Sequence, residues 1–128
     1  TNTRNLTRFF TTIRRSNVKI AWEPRGNWKE HPQDIEALCK KLDLIHVTDP
    51  MRVTPIITSN TLYVRLHGLG PREYNYKYEY TDRDLLALAS KMTELRSSGV
   101  KEEYILFNNI SMAADAERFI KIAANAHH

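Results

Sequence analysis

Arg65 and His67 stand two residues apart near the end of the stretch Thr61-Leu62-Tyr63-Val64-Arg65-Leu66-His67-Gly68. The stretch reads as a strand with two unlike faces. Leu62, Val64 and Leu66 point one way, and Tyr63, Arg65 and His67 the other. Gly68 and Gly70 break the strand, and Pro71 discourages a return to it. A guanidinium and an imidazole on one face of a strand are costly to bury without purpose. That face reads as the floor of a site.

Three further strand ends carry polar groups of the same kind. Glu23 and Arg25 follow Val18, Ile20 and Trp22, an alternating run stopped by Pro24. Asp49 closes Leu44-Ile45-His46-Val47-Thr48-Asp49, which Pro50 halts, and Asn108 and Asn109 close the run that begins at Glu103. Arg25 and Arg65 offer planar forks suited to a carboxylate or phosphate. His67 can act as acid or base near neutral pH, with Glu23 as its partner or a second proton carrier. Glu23, His67 and Asp49 are therefore the catalytic candidates. Arg25, Arg65, Asn108 and Asn109 are the substrate-binding candidates, together with Trp28 in the loop after Glu23 and Tyr80. The asparagines can orient hydroxyls or carbonyls without charge. Glu23, Asp49 and His67 could alternatively hold a divalent metal, although no tight helical spacing supports it. The competing reading is an internal salt-bridge network, with Glu23 and Asp49 neutralising Arg25 and Arg65.

The elements that must position these groups follow from periodicity. Leu6, Phe9, Phe10 and Ile13 form an apolar stripe on a helix over Asn5–Ser16, with Arg4, Arg8, Arg14 and Arg15 around it. Asn17–Trp22 is a strand. His31–Leu42 is a helix with Pro32 in its first turn, and Ile35, Leu38, Cys39 and Leu42 form its buried stripe. Cys39, the single cysteine, reads as a buried structural thiol. A polar loop with Pro55 leads to Thr61. Thr81-Asp82-Arg83-Asp84 resembles a capping box, Leu85, Leu88, Met92 and Leu95 mark the buried side of the next helix, and Gly99 ends it. Glu103–Asn109 is the fourth strand. Ser111 caps a last helix in which Ala116, Phe119, Ile120 and Ala123 pack. Strands alternating with helices predict an α/β fold with a parallel sheet.

Residues 71–80 stand apart, because Tyr74, Tyr76, Tyr78 and Tyr80 alternate with polar residues. This is either an extended arm that stacks on bases or sugars, or a rim loop that packs its rings on the domain.

The chain has 128 residues, enough for a single domain 1–128 with a real core. Composition is ordinary for a soluble globular protein, with 41% hydrophobic and 27% charged residues. No apolar run reaches bilayer length and no signal pattern opens the chain, so no membrane partner and a cytoplasmic location are expected. A net charge of +4 and a pI near 9.3 permit a small anionic ligand or nucleic acid. There is no Gly-rich phosphate loop and no nicotinamide fingerprint.

Several of these segments together resemble the C-terminal half of the YecE-like proteins, the family called domain of unknown function seventy-two. The likeness rests on Ala21-Trp22-Glu23-Pro24-Arg25 followed by Trp28, on Val47-Thr48-Asp49-Pro50, and on Tyr63-Val64-Arg65-Leu66-His67-Gly68. It continues through Tyr78-Glu79-Tyr80-Thr81 and Phe107-Asn108-Asn109 to the Ala113–Ala116 helix. One departure is Asp115, where the family pattern leads one to expect Asn. The resemblance implies a TIM-type barrel with its site at the C-terminal strand ends, and it implies no particular reaction. A whole (β/α)8 barrel needs about 250 residues, so about four βα units make a half barrel. The chain is then expected to be a fragment, one part of a split protein, or a protomer that pairs with a second copy of itself. Three functions follow as expectations. One is a hydrolase- or lyase-type enzyme for a small anionic or sugar-phosphate-like substrate. The others are a nucleic-acid binding or processing protein, and a non-catalytic half barrel that works only by assembly.

Overall fold

The structure is a computed structural model that describes residues 3–5, 7, 8, 18–72, 74–97 and 99–126. Within the predicted helix Asn5–Ser16, residues 5, 7 and 8 are helical and the rest lie outside the described residues. From there the order is β1 (Ile20–Trp22), a 3-10 turn (Gly26–Glu30), α1 (Pro32–Leu42), β2 (Leu44–His46), β3 (Thr61–Leu66), α2 (Asp82–Arg96), β4 (Glu102–Phe107) and α3 (Met112–Ala126).

Every strand pairing is parallel. Ile20 lies opposite Leu44 and Trp22 opposite His46, while Thr61 lies opposite Glu102 and Leu66 opposite Phe107. These pairs form two small sheets. A single parallel bridge between Thr48 and Val64 links them, with the Arg65 N–H donating to the Thr48 carbonyl at 3.0 Å. The four strands thus lie side by side in sequence order. They are shorter than the sequence suggests. β2 stops at His46, because the chain beyond it keeps only the one bridge at Thr48 and then turns at Asp49. β4 stops at Phe107, so Asn108 and Asn109 fall just past its end.

The alternation along β3 decides where the core sits. Leu62, Val64 and Leu66 are sealed against α2 and α3, among Leu85, Leu88, Met92, Leu95, Phe107 and Phe119. Thr81 caps α2 as the sequence predicts: its Oγ1 accepts from the Asp84 N–H at 3.1 Å, and Asp84 accepts from the Thr81 N–H at 2.9 Å. A second core lies under α1, where Ile35, Leu38, Cys39 and Leu42 meet Leu44, Ile20 and Trp22. Burial there pushes the Cys39 thiol up to about 11, as expected of an inert structural cysteine.

One packing expectation fails. Ile120 is 68% exposed, and Ile122 takes the place expected of it beside Phe119, Ala116 and Ala123. The packed face is centred on Phe119, with 116, 122 and 123 within about 60° of it, and residue 120 lies about 100° from that centre. On the sheet face away from α2 and α3, Tyr63 stacks near Tyr104 with centroids 6.0 Å apart, and Arg65 lies opposite Leu106. Tyr104 and Leu106 are exposed there, at 48% and 39%.

The two kinds of leucine should respond differently to truncation. Leu66→Ala empties a fully buried site and should cost about 3 kcal/mol. Leu86→Ala removes a side chain from a residue that is 53% exposed and should cost less than about 0.5 kcal/mol. Urea denaturation of both variants reads the difference.

Candidate functional site

Glu23 follows the last residue of β1, and Arg65 and His67 flank the last residue of β3. The Glu23 carboxylate joins them. Its Oε1 accepts from Arg65 Nη1 at 2.8 Å, and its Oε2 lies 2.8 Å from His67 Nε2. The three side chains are 15%, 30% and 5% exposed in the order Glu23, Arg65, His67, so the cluster is shielded but not sealed. On the other side of the ring, Asn108 Nδ2 lies 3.4 Å from His67 Nδ1. In the neutral ring this contact makes Nδ1 the acceptor and puts the proton on Nε2, where Glu23 accepts it; in the charged ring the Nε2–H is donated to Glu23 all the same.

Asp49 reaches the same place by a different route. Its Oδ2 accepts from the backbone N–H of His67 and its Oδ1 from that of Met51, both at 3.0 Å. Burial raises its pKa, and the two amide donors and the nearby charges of His67 and Arg52 only partly offset this. Asp49 is thus tied to the backbone that places His67. Arg52 Nη2 in turn donates to the carbonyls of Gly68, Gly70 and Arg72 at 2.7, 3.2 and 2.5 Å. The Asn75 N–H donates to the His67 carbonyl at 2.7 Å, and a Cβ on Gly68 would lie 2.1 Å from the Asn75 carbonyl oxygen. Only glycine fits there, the more so because Gly68 has φ +90°.

The loop so folded carries Tyr74 over the histidine. The two rings meet edge to face at 4.7 Å, and the Arg25 guanidinium sits 5.1 Å from the centroid of the tyrosine. Glu23, Asp49, His67 and Tyr74 open on a pocket of about 150 Å³ that runs back under α1.

The sequence candidates therefore separate. Glu23, Asp49, Arg65, His67 and Asn108 come together, with Arg25 at the rim. Trp28 instead packs edge to face on Trp22 at 5.1 Å, as part of the second core. Tyr80 is buried against Phe107, and its hydroxyl accepts from the Gly68 N–H at 2.8 Å. Asn109 is fully buried. Its Nδ2 donates to the Tyr78 carbonyl at 2.7 Å and to Asp115 Oδ2 at 2.8 Å. The departure at Asp115 thereby acquires a role: its carboxylate also accepts from Ser111, the Tyr80 N–H and Arg118. Burial would raise its pKa, but these donors together hold it below the usual carboxylate value. This knot stands behind the site, not in it.

The tyrosine run is not one stacking arm. Tyr78 and Tyr80 pack inward, Tyr74 covers His67, and Tyr76 is 55% exposed. Nor do Glu23, Asp49 and His67 converge as a metal set. Among the described residues, no three His, Cys, Asp or Glu side chains could hold a metal ion together. The expected salt-bridge network exists in part: Glu23 answers Arg65 as expected and His67 besides, whereas Asp49 approaches Arg52 at 3.9 Å. Sequence reasoning missed Arg52, Tyr74 as a site residue, and His46. The first two lie in loops, where periodicity says nothing. His46 has the single signal of a titratable residue inside an apolar strand.

A family model described as "Protein of unknown function DUF72" matches residues 1–128. Among solved structures, a DUF72 family protein from Enterococcus faecalis V583 superposes with a TM-score of 0.71 at 20% identity, over 96% of this chain and 53% of its own. A DUF72 family protein from Thermotoga maritima MSB8 also gives 0.71, at 22% identity, over 99% of this chain and 52% of its own. The chain thus spans about half the length of these structures. No curated protein matches it.

Two outcomes follow from the geometry. Gly68→Ala should cost about 3 kcal/mol, against about 1 kcal/mol for Gly26→Ala, which shares a positive φ but has open space around it. Thermal melting separates the two. Burial lowers the His46 pKa from 6.5 to about 4. Between those values the unfolded chain takes up a proton that the folded chain refuses, so stability falls as pH falls. From pH 7 to pH 5 the His46 share of that loss should be about 2 kcal/mol. Urea denaturation at both pH values should show the loss reduced by that amount in His46→Gln.

Proposed function

The chain belongs to the DUF72 family of unknown function, and we propose that its Glu23–Arg65–His67 cluster is an enzyme site for a small anionic substrate. The carrying observation is one carboxylate held 2.8 Å from a guanidinium and 2.8 Å from an imidazole, at adjoining strand ends and beside an open pocket. His67 is the proton carrier, and Glu23 orients its ring. Asn108 is a positioning residue for the ring, and Asp49 is a positioning residue for the backbone behind it. Arg65 uses one nitrogen on Glu23 and has further donors for a substrate carboxylate or phosphate. Arg52 lines the pocket and Arg25 and Arg65 stand beside it, on Tyr74 and Glu23, against two carboxylates, Glu23 and Asp49. That surplus favours an anion. A hydrolase or lyase acting on a sugar-phosphate-like molecule fits this set: both reactions need a proton carrier and an anion holder.

The same reading makes the four parallel strands one half of a (β/α) barrel. Supporting it are their sequence order and the exposed Tyr104 and Leu106 on the face away from the helices. A missing N-terminal half, or a second copy of the chain, would cover that face.

Inorganic phosphate at low salt tests the anion site. It should bind the full chain, and Arg65→Gln should weaken it at least tenfold by calorimetry. If phosphate binds neither protein while Arg65→Gln lowers the melting temperature, the cluster is a structural ion pair and the proposal fails.

A further inference from the structure

The pocket beside the charged cluster has walls of two kinds. Glu23, Asp49, His67 and Tyr74 line it on the polar side, and Pro24, Ile35, Val47, Val53 and Ile56 give it apolar surface. Ile35 and Val47 are only 4% and 3% exposed, so that part of the wall belongs to the packed body of the protein. A volume of about 150 Å³ accommodates roughly one six-membered ring.

Lys29, Thr48, Arg52 and Thr54 also line the pocket, and one buried imidazole stands among its apolar residues. His46 lines the recess and is 5% exposed. Its Nδ1 accepts from the Ile56 N–H at 2.9 Å, which fixes the ring proton on Nε2. That Nε2–H has no hydrogen-bond partner among the described residues. Burial holds the pKa of the ring near 4, so near neutral pH it offers a neutral donor, not a cation. A neutral donor in an apolar wall suits one acceptor oxygen or nitrogen and disfavours a second charge.

We infer that this recess is a specificity subsite for an uncharged group of about six-membered-ring size carrying a single hydrogen-bond acceptor. Its walls hold the carbon frame and His46 Nε2–H donates to the acceptor. Joined to the anion site proposed above, on which this wider statement rests, it defines the substrate class as a small amphiphilic acid or phosphate ester. The anionic end meets Arg65 and His67, and the ring or branched-chain end lies under α1.

Three probes of the full chain separate the two ideas. Acetophenone, a neutral ring with one acceptor oxygen, reports on the recess alone. It should shift the methyl signals of Ile35, Val47 and Ile56 and the His46 ring nitrogens in NMR spectra. Val53→Trp should weaken it at least tenfold, because residue 53 is 45% exposed at the wall and an indole there can fill the space without breaching the core. Phenyl phosphate should bind the wild-type chain at least tenfold more tightly than inorganic phosphate does. Failure of acetophenone to shift these signals at millimolar concentration overturns the inference, whatever phosphate does. Equal affinity for phosphate and phenyl phosphate also overturns it and leaves the anion site standing. Acetophenone binding that Val53→Trp abolishes, without any phosphate binding, upholds the recess and sinks the anion site instead.

Discussion

A parallel strand that is sealed on one face and charged on the other must have its charges answered from outside the strand. β3 meets this constraint in its sharpest form. Leu62, Val64 and Leu66 are 1%, 0% and 0% exposed, so the register of the strand cannot slip without exposing the core. Arg65 and His67 are then forced to the other face. Their answer comes from the far side of the sheet, since Glu23 at the end of β1 reaches both. Between β1–β2 and β3–β4 the backbone offers, among the described residues, only the bridge at Thr48 and Val64. The carboxylate therefore joins the two sheets where the ladder is thinnest. Such a part-buried pair adds little net stability compared with apolar packing, yet removing one partner is costly. It is weakly motivated as a structural device alone.

The loops beyond the strands divide the remaining work. Asp49, Arg52 and Asn75 direct their polar groups mainly to backbone, and together they fix residues 67–72, 74 and 75 as a shaped rim. Buried backbone groups need partners, and in a loop only side chains can supply many of them. Polar residues at a strand end are thus of two kinds that composition does not distinguish. Some hold the rim, and some face what the rim encloses. Asp49 belongs to the first kind by its contacts, although it lines the pocket with a raised pKa.

What the sequence displays well is whatever repeats. The stripes of α1 and α2, the alternation of β3 and the cap at Thr81 are legible because burial imposes a period on neighbouring residues. The meeting of Glu23, Arg65 and His67 was legible too, from polar residues at the ends of apolar strands. Loop geometry was not. Tyr74 reaches His67 only because Arg52 and Asn75 fold the chain back between them, and Gly68 permits it. Trp28 and Tyr80 look like ligand-stacking residues by type, yet a large ring next to an incompletely packed core is drawn inward by area alone. Ile120 shows the reverse error: its spacing with Ala116, Phe119 and Ala123 fits a buried stripe, but the helix turns to the core a face centred on Phe119 that takes in Ile122 instead.

Asn108 and Asn109 carry the argument furthest, because they are identical in type and adjacent in sequence. Phe107, the last residue of β4, points into the helix-packed core. Alternation sends the next side chain to the opposite face, where Asn108 meets His67, and returns the following one inward, where Asn109 ties Tyr78 to Asp115. One residue of register therefore separates a group that meets an imidazole from a group that anchors a loop. The fully buried Asn109 has an Oδ1 without a partner among the described residues, a cost accepted where the amide nitrogen is needed by two acceptors at once. The pair makes the logic of the whole strand end explicit: the period that builds the core also delivers every second side chain to the site.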